Sequence, residues 1–294
     1  MTDTSPFDLD RFLRLALDED LGSGDVTSEA LLDPSLRARG LLRLREAGVV
    51  AGLRAALRVF ELLDPAVRVE EHAREGDEVG AHALVGEITG PARVVLAGER
   101  LALNLLARLS GIATLTQSFV RAVEGTGVDI VDTRKTTPLL RALEKQAVLR
   151  GGGVNHRFGL HDAVLVKDNH LDLIGASGSA ERMRAATRAV RERAPAGLFI
   201  QVEAQTVEEA EAVAEAGADS VLFDNFDPQE LKAAVRRVRA AAGPRRMVLE
   251  ASGGIQLQNV RGFAMSGVDR ISIGALTHGA RSLDVTLEIE ARGP

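Results

Sequence analysis

The stretch EAGADSVLFDN (215–225) decides the fold, and MSGVDRISIGA (265–275) repeats its plan. In both, a helix ends at a glycine that can cap its last turn, and an apolar strand follows. Similar apolar runs occupy 128–132, 163–166, 198–203 and 247–250, and helical stretches separate them at 137–150, 176–193, 206–216, 228–242 and 256–265. Apolar strands that alternate with helices indicate a parallel sheet buried on both faces. The recurrence favours a βα barrel over an open sheet.

The chain before this region predicts a smaller α/β domain. Residues 7–20 have the apolar spacing of an amphipathic helix, and LGSGDVTSEALL (21–32) is predicted to be a loop. Short strand-like runs between Gly and Pro turns follow at 37–50 and 67–95. A long helical pattern then covers 97–122, and we expect a domain junction in or just after it.

One run in this region has an alternative interpretation. EGDEVG (75–80) resembles the hairpin of lipoyl and biotin carriers, whose cofactor is attached to a lysine. The chain has no lysine before Lys135, so we predict an ordinary half-buried sheet there instead.

Composition excludes several classes of protein. The 294 residues carry a net charge of −6 and no Trp or Tyr, so neither a general nucleic-acid surface nor a base-stacking platform is expected. Without cysteine the chain has no disulfide, thiolate metal site or cysteine nucleophile. No apolar run reaches the roughly 18 residues of a membrane helix, and MTDTSPFDLD (1–10) lacks the pattern of a signal peptide. We expect a cytoplasmic protein with no membrane partner.

The residues that close the strands are candidates for the active site, because barrel enzymes use the carboxyl ends of their strands. Nearly every strand closes on a charged residue or a glycine turn. In chain order these are DTRKT (132–136), KDNH (167–170), Glu203, Asp224–Asn225, Glu250 with SGG (252–254), and Gly274–Ala275.

The window 132–170 is positive within an acidic chain. It holds seven Lys and Arg against four Asp and Glu. Arginine matches planar carboxylates and phosphates, whereas lysine supplies a point charge. The mixture predicts a small ligand with both carboxylates and phosphates. Arg141, Lys145 and Arg150 fall at helical spacing and are equally consistent with a solvent-facing helix or a subunit contact.

Glu203 and Asp224 close neighbouring strands and are candidate Mg²⁺ ligands, because Mg²⁺ prefers oxygen donors and shares waters with phosphates. The alternative is that they pair with arginines for structural reasons. GGGVNHRFG (151–159) is glycine-rich but lacks the Lys-Ser/Thr of a P-loop. The six histidines are dispersed, which argues against a catalytic zinc.

These motifs resemble the quinolinate phosphoribosyltransferase family, also called carboxylating nicotinate-nucleotide pyrophosphorylases. The match is densest at DTRKT, GGGVNHRFGL (151–160), VKDNH (166–170), VLFDNF (221–226) and LEASGGI (249–255). It extends to EDLGSGDVTS (19–28), ERLALNLLARLSGIAT (99–114) and GVDRISIGALTH (267–278), so it covers nearly the whole chain.

The resemblance implies an incomplete, seven-stranded α/β barrel (113–277) after an N-terminal α/β sandwich domain (1–112), to which 278–294 return. It implies transfer of phosphoribose from phosphoribosyl pyrophosphate to quinolinate with decarboxylation, giving nicotinate mononucleotide, pyrophosphate and carbon dioxide in NAD biosynthesis. A homodimer with shared active sites, or a higher assembly built from it, is also implied, with Mg²⁺ as the cofactor.

The resemblance also assigns roles to residues. Quinolinate would be bound by Arg134, His156, Arg157 and Lys167, with Arg100 reaching into the partner's site. Phosphoribosyl pyrophosphate would contact Lys135, Glu203, Asp224, Glu250, Ser252, Gly253, Gly254, Gly274 and Ala275. Glu203 and Asp224 would bind the Mg²⁺, and Lys135, Lys167, Glu203 and Asp224 would be the catalytic residues.

Three alternatives remain open from the sequence. A Schiff-base aldolase would use Lys135 or Lys167 as its nucleophile, although Arg134 beside Lys135 is unfavourable for that chemistry. A non-catalytic phosphate-sensing module would need neither Glu203 nor Asp224. A phosphoribosyltransferase for a different pyridine carboxylate would differ in its carboxylate-binding arginines.

Overall fold

A computed structural model describes residues 7–176 and 178–292. The helices are α1 (Leu9–Leu21), α2 (Val26–Leu31), α3 (Leu53–Leu63), α4 (Ala92–Ala122), α5 (Arg141–Arg150), α6 (Asp168–Leu173), α7 (Ala180–Arg193), α8 (Val207–Glu215), α9 (Pro228–Ala242), α10 (Val260–Ala264) and α11 (Ala275–His278). The strands are β1 (Arg37–Leu44), β2 (Gly48–Val49), β3 (Arg68–Glu71), β4 (Glu78–Val79), β5 (Ala83–Pro91), β6 (Asp129–Val131), β7 (Val164–Val166), β8 (Ile200–Ala204), β9 (Ser220–Asp224), β10 (Val248–Ser252), β11 (Arg270–Ser272) and β12 (Val285–Arg292).

The described residues form two compact units. The first contains the chain up to Gln117, Thr136–Gly152 and the chain from Leu276 onward, and the second contains Ser118–Lys135 and Gly153–Ala275. No helix of the described residues is long and apolar enough to cross a membrane.

The first unit is built on an antiparallel sheet with the order β12-β1-β5-β3. β12 pairs with β1 from Arg37–Arg292 to Leu44–Val285, so the C-terminal strand completes this sheet. Leu53 and Leu57 of α3 pack over Gly86 of β5, where an added Cβ would lie 3.2 Å from Leu53 Cδ1 and 3.4 Å from Leu57 Cδ2. The buried leucines of the helix and of β1 form the core of the unit.

Thr136–Gly152 belongs to the first unit, although the sequence assigned it to the barrel domain. Glu144 of α5 is fully buried, and its Oε1 accepts hydrogen bonds from Arg108 Nη2 at 2.9 Å and Thr137 Oγ1 at 2.9 Å. A buried carboxylate needs such donors, so this ion pair ties α5 to α4.

The second unit is a parallel sheet with the order β6-β11-β10-β9-β8-β7. All six strands lie at the predicted apolar runs, and the helices of this unit lie between them, which confirms the α/β class. β6 and β7 are consecutive in sequence but occupy opposite edges, so the barrel is incomplete.

The seventh strand of the expected barrel is reduced to a single bridge in the described chain. Val154 pairs in parallel with Val131 of β6, with Val154 N donating to Ile130 O at 2.8 Å. Val154 follows the three glycines 151–153, which have no side chains to pack against a sheet, so the pairing does not propagate.

Two expectations about helices were incomplete. The predicted loop 21–32 contains α2, because the carboxylate of Asp25 caps it by accepting from the backbone N–H groups of Thr27 and Ser28. α6 follows β7 directly, where the sequence indicated only a polar strand end.

Candidate active site

The carboxyl ends of β8 and β9 bring two acidic side chains to one edge of the sheet. Glu203 is the fourth residue of β8, and Asp224 is the last residue of β9. The register pairs Glu203 with Leu222 and Ala204 with Phe223, so Asp224 lies two residues beyond the partner of Glu203 and on the same face of the sheet. The predicted juxtaposition of these two residues is confirmed by the sheet.

The pKa of Glu203 lies well above that of an ordinary glutamate. Its side chain is 8 % exposed. Burial and, after it, the negative charges of Asp224 and Asp168 raise the pKa of Glu203 to about 7, against the opposing charge of Lys167. A site that destabilises its own carboxylate in this way is suited to a cation.

Asp224 is surrounded by the lysines that the sequence selected. Burial raises the pKa of Asp224, whereas the Asn225 side chain, which donates to Oδ2 at 2.7 Å, lowers it. The charges of Lys167 and Lys135 lower it as well. Both lysines therefore act on one carboxylate, although they follow different strands.

Arg134 and Arg157 of the second unit are near enough to interact electrostatically. Burial lowers the pKa of Arg157, and the positive charge of Arg134 lowers it further, against the influence of Asp162. Arg157 Nη1 donates to Ala163 O at 3.2 Å. Arg134 Nε is buried and has no hydrogen-bond partner among the described residues. Neighbouring cations with spare donors form a site for an anion.

His156 connects this pair of arginines to the interior of the sheet. Its backbone N–H donates to Asp132, which is fully buried, at 2.8 Å. Its Nδ1 accepts from Arg157 N at 2.8 Å, so a neutral ring carries its proton on Nε2. Nε2 lies 2.9 Å from Gln201 Oε1 and 3.4 Å from Glu250 Oε2.

Glu250 is enclosed rather than exposed to a ligand. It is 0 % exposed, and its Oε2 accepts from Gln201 Nε2 at 2.8 Å and Arg270 Nε at 2.5 Å. Burial by itself raises the pKa of Glu250, but the hydrogen bond from His156 and the charge of Arg270 bring it to about 2. Its Oε1 has no hydrogen-bond partner within the described chain.

The glycine turns follow the last strands as expected. Gly253 has φ +93, and a Cβ there would overlap the side chain and backbone of Asn225. Gly254 has φ +61 and open space beside it. Ser252 is paired with Asp224, so the SGG turn begins level with that acid. Gly274–Ala275 follows β11 and starts α11.

Arg100 lies on an exposed face of α4 in the first unit. Its expected role concerns a second copy of the chain and stays a prediction.

Two residues that hydrogen-bond inside the second unit were not identified from the sequence as functional candidates. Gln201 is 1 % exposed within the otherwise apolar run LFIQVE, and Arg270 opens β11. The signal was available, because a polar residue inside a buried strand needs a partner. That partner could not be identified, since Gln201 and Glu250 are separated by 49 residues.

The chain is similar to known proteins over nearly its whole length. The models of the quinolinate phosphoribosyl transferase N-terminal and C-terminal domains match residues 25–110 and 112–288. A probable nicotinate-nucleotide pyrophosphorylase [carboxylating] of Bacillus subtilis is 41 % identical, covering 92 % of this chain and 90 % of that protein. The nicotinate-nucleotide pyrophosphorylase [carboxylating] of Mycobacterium leprae is 40 % identical over 94 % of this chain and 95 % of its own length. The crystal structure of NadC from Streptococcus pyogenes is 38 % identical, with a TM-score of 0.89 over 100 % of both chains.

Proposed function

Because the chain belongs to the quinolinate phosphoribosyltransferase family, we propose a division of its site into a dicarboxylate half and a phosphoribosyl half. The protein is a phosphoribosyltransferase of NAD biosynthesis. It joins quinolinate to phosphoribosyl pyrophosphate and releases pyrophosphate and carbon dioxide, which leaves nicotinate mononucleotide.

The dicarboxylate half consists of Arg134, Arg157 and Lys167, with His156 beside them. One observation supports it above the others: burial lowers the pKa of Arg157, and repulsion from the charge of Arg134 lowers it further. Such repulsion is relieved when an anion with two carboxylates binds between the cations.

The phosphoribosyl half consists of Lys135, Glu203 and Asp224 with the SGG turn and Gly274–Ala275. Lys135 acts on Asp224 in the free protein and would pair with the pyrophosphate. The glycine turns leave backbone N–H groups accessible to phosphate oxygens. Glu250 is enclosed below this site, so its contribution is indirect.

The residues fit a magnesium ion. Glu203 and Asp224 offer carboxylate oxygens, and the raised pKa of each shows that its negative charge is poorly compensated in the free protein. We propose that these two side chains hold Mg²⁺, directly or through water, and that the ion when bound neutralises pyrophosphate charge.

The chain's own residues orient the reaction. Arg134 and Arg157 hold the two carboxylates so that the pyridine nitrogen faces the anomeric carbon. Glu203 and Asp224 stabilise the positive charge that develops on the ribose as pyrophosphate leaves. Attack makes the nitrogen a pyridinium, whose positive charge stabilises the carbanion formed at C2 when the 2-carboxylate leaves as carbon dioxide. A proton from solvent then adds to C2 and completes nicotinate mononucleotide.

The direct test is incubation of the purified protein with quinolinate, phosphoribosyl pyrophosphate and Mg²⁺. We expect equal amounts of carbon dioxide and nicotinate mononucleotide, and loss of both when EDTA replaces Mg²⁺. Nicotinate offered in place of quinolinate distinguishes the alternative pyridine substrate: turnover of nicotinate with no use of quinolinate would contradict the proposal.

We also propose a homodimer in which Arg100 completes the site of the partner, and a cytoplasmic location. The shared site predicts that two inactive variants recover activity when they form mixed dimers. The cytoplasmic location predicts that the protein stays in the soluble fraction of lysed cells without detergent.

A further inference from the structure

We propose that His156 is a positioning residue rather than a direct ligand of the dicarboxylate, and that Gln201, Glu250 and Arg270 hold it in place. We call these four residues the buried strut. The inference rests on the proposed function, because the group that the strut positions is Arg157 of the dicarboxylate half.

Both ring nitrogens of His156 form hydrogen bonds within the protein. Nδ1 accepts from the backbone of Arg157 at 2.8 Å, and Nε2 donates to Gln201 Oε1 at 2.9 Å. The amide of Gln201 has a defined orientation, because its Nε2 donates to Ser220 Oγ at 3.2 Å and to Glu250 at 2.8 Å. The oxygen of Gln201 must therefore face the histidine.

Glu250 and Arg270, which form the end of the strut away from Arg157, are held in place by several contacts. Glu250 is fully buried, and Arg270 donates to it at 2.5 Å. The guanidinium of Arg270 also lies 5.4 Å from the centre of the Phe199 ring, within the range of a cation–π contact. A buried ion pair with further hydrogen bonds has one low-energy arrangement.

The strut fixes the backbone that carries Arg157. Asp132 holds the N–H of His156 at 2.8 Å, and the ring of His156 holds the N–H of Arg157. Consecutive N–H groups are thus anchored to the end of β6 and to the interior of the sheet. Without such anchoring Arg157 would move away from Arg134, since like charges repel. The strut therefore preorganises the arginine pair for a dicarboxylate.

Gln201→Met is the most informative variant. Gln201 is 1 % exposed and cannot touch a ligand, so an effect on quinolinate must pass through His156. Two hydrogen bonds of the strut are lost, and we expect the KM for quinolinate to rise about tenfold. The KM for phosphoribosyl pyrophosphate should change by less than about twofold, since the hydrogen bonds that join the strut residues do not involve Lys135, Glu203 or Asp224.

Binding is measured separately with benzene-1,2-dicarboxylate, which has both carboxylates but lacks the reactive nitrogen. Its Kd by calorimetry should rise by the same factor as the KM for quinolinate. This readout needs no turnover, so it tests the strut even if the wild-type protein does not use quinolinate, an outcome that would contradict the proposed function alone.

Thr187→Val is the matched control. Thr187 is buried in the same unit and bonds only to its own helix in the described chain, through Oγ1 to Met183 O at 2.8 Å. Its loss should lower the melting temperature without changing either KM. Equal quinolinate KM values for Gln201→Met and Thr187→Val would overturn the inference.

Arg270 gives a second, independent pair of variants. Arg270→Lys keeps a positive charge beside the carboxylate of Glu250 and should keep the quinolinate KM within about threefold of wild type. Arg270→Met leaves Glu250 buried without its cation and should raise that KM at least as much as Gln201→Met. If Arg270→Met does not fold, Gln201→Met decides. A fall in kcat with both KM values unchanged would identify a merely structural role and would overturn the inference.

Discussion

The charge on Glu203 opposes folding in the free protein. Its pKa is about 7 in the folded protein against a usual 4.5, so the folded chain binds the proton more tightly than the unfolded chain. The contribution of Glu203 to the free energy of unfolding is therefore greatest below about pH 4.5. It falls as pH rises through 7, by roughly 3 kcal/mol at most. Glu203→Gln removes this charge and should raise the melting temperature at pH 8 but hardly at pH 5, while activity is lost.

Glu230→Gln is the control for this experiment, because Glu230 is exposed on α9. Its melting temperature should follow that of the wild type at both pH values. A Glu203→Gln protein that is less stable than the wild type at pH 8 would show that the carboxylate has a stabilising partner.

Arg157 should carry a large share of the affinity for quinolinate. Arg157→Ala leaves a carboxylate of the ligand without its partner in a partly buried site, so we expect a loss of about 3 kcal/mol or more, roughly a hundredfold in Kd. Calorimetric titration with quinolinate measures this loss. Arg188→Ala removes an exposed arginine of α7 and should bind normally. Unchanged affinity of Arg157→Ala would remove that residue from the dicarboxylate half.

At the scale of single residues, the sequence identified the acidic side chains near the ends of strands. It did not identify residues whose roles depend on contacts with distant parts of the chain. Glu203 and Asp224 could be selected because both lie near the carboxyl end of an apolar run, where barrel enzymes place their active sites, although β8 continues one residue past Glu203. The role of His156 could not, because it depends on Gln201, which is 45 residues away. The enclosure of Glu250 likewise follows from Arg270 on the neighbouring strand.

The turn after β10 should tolerate side chains at one glycine and not at the next. A Cβ at Gly253 overlaps Asn225, the residue that donates to Asp224, whereas a Cβ at Gly254 meets open space. Both have positive φ, which costs an L-residue about 1 kcal/mol. We expect Gly253→Ala to raise the KM for phosphoribosyl pyrophosphate about tenfold more than Gly254→Ala. Equal KM values would mean that Asn225 is not positioned by this contact.

At the scale of elements, long periodic segments were predictable and short capped ones were not. α9 was predicted at 228–242, and the structure has the same bounds, because Asp227 and Pro228 begin it and Gly243 ends it. α2 has six residues, and the glycines before it concealed the cap at Asp25. The N-cap itself was a readable signal, since Asp is a preferred N-cap residue and Glu29 places an acid in the first turn.

At the scale of the whole molecule, the sequence indicated the two kinds of architecture but not how the chain is divided between them. Thr136–Gly152 lies between two segments of the barrel unit in sequence and belongs to the other unit. The contact between Arg108 and Glu144 accounts for this, and it joins residues 36 apart. No local pattern reports such a pair, because charged residues at helical spacing are usually solvent-facing.

Shared sites make a quantitative prediction for mixed dimers. Arg100→Ala and Glu203→Ala should each be inactive alone, because every site in either homodimer lacks one residue. After unfolding and refolding together at equal amounts, about half of the dimers are hybrids, and one site in each hybrid keeps both residues. Activity should therefore return to about a quarter of the wild-type value. The hybrids are verified by two different affinity tags, one on each variant. A mixture of two differently tagged Glu203→Ala chains is the control and should stay inactive. If verified hybrids are inactive as well, Arg100 acts within its own chain or not at all, and the proposed exchange of residues between subunits is wrong.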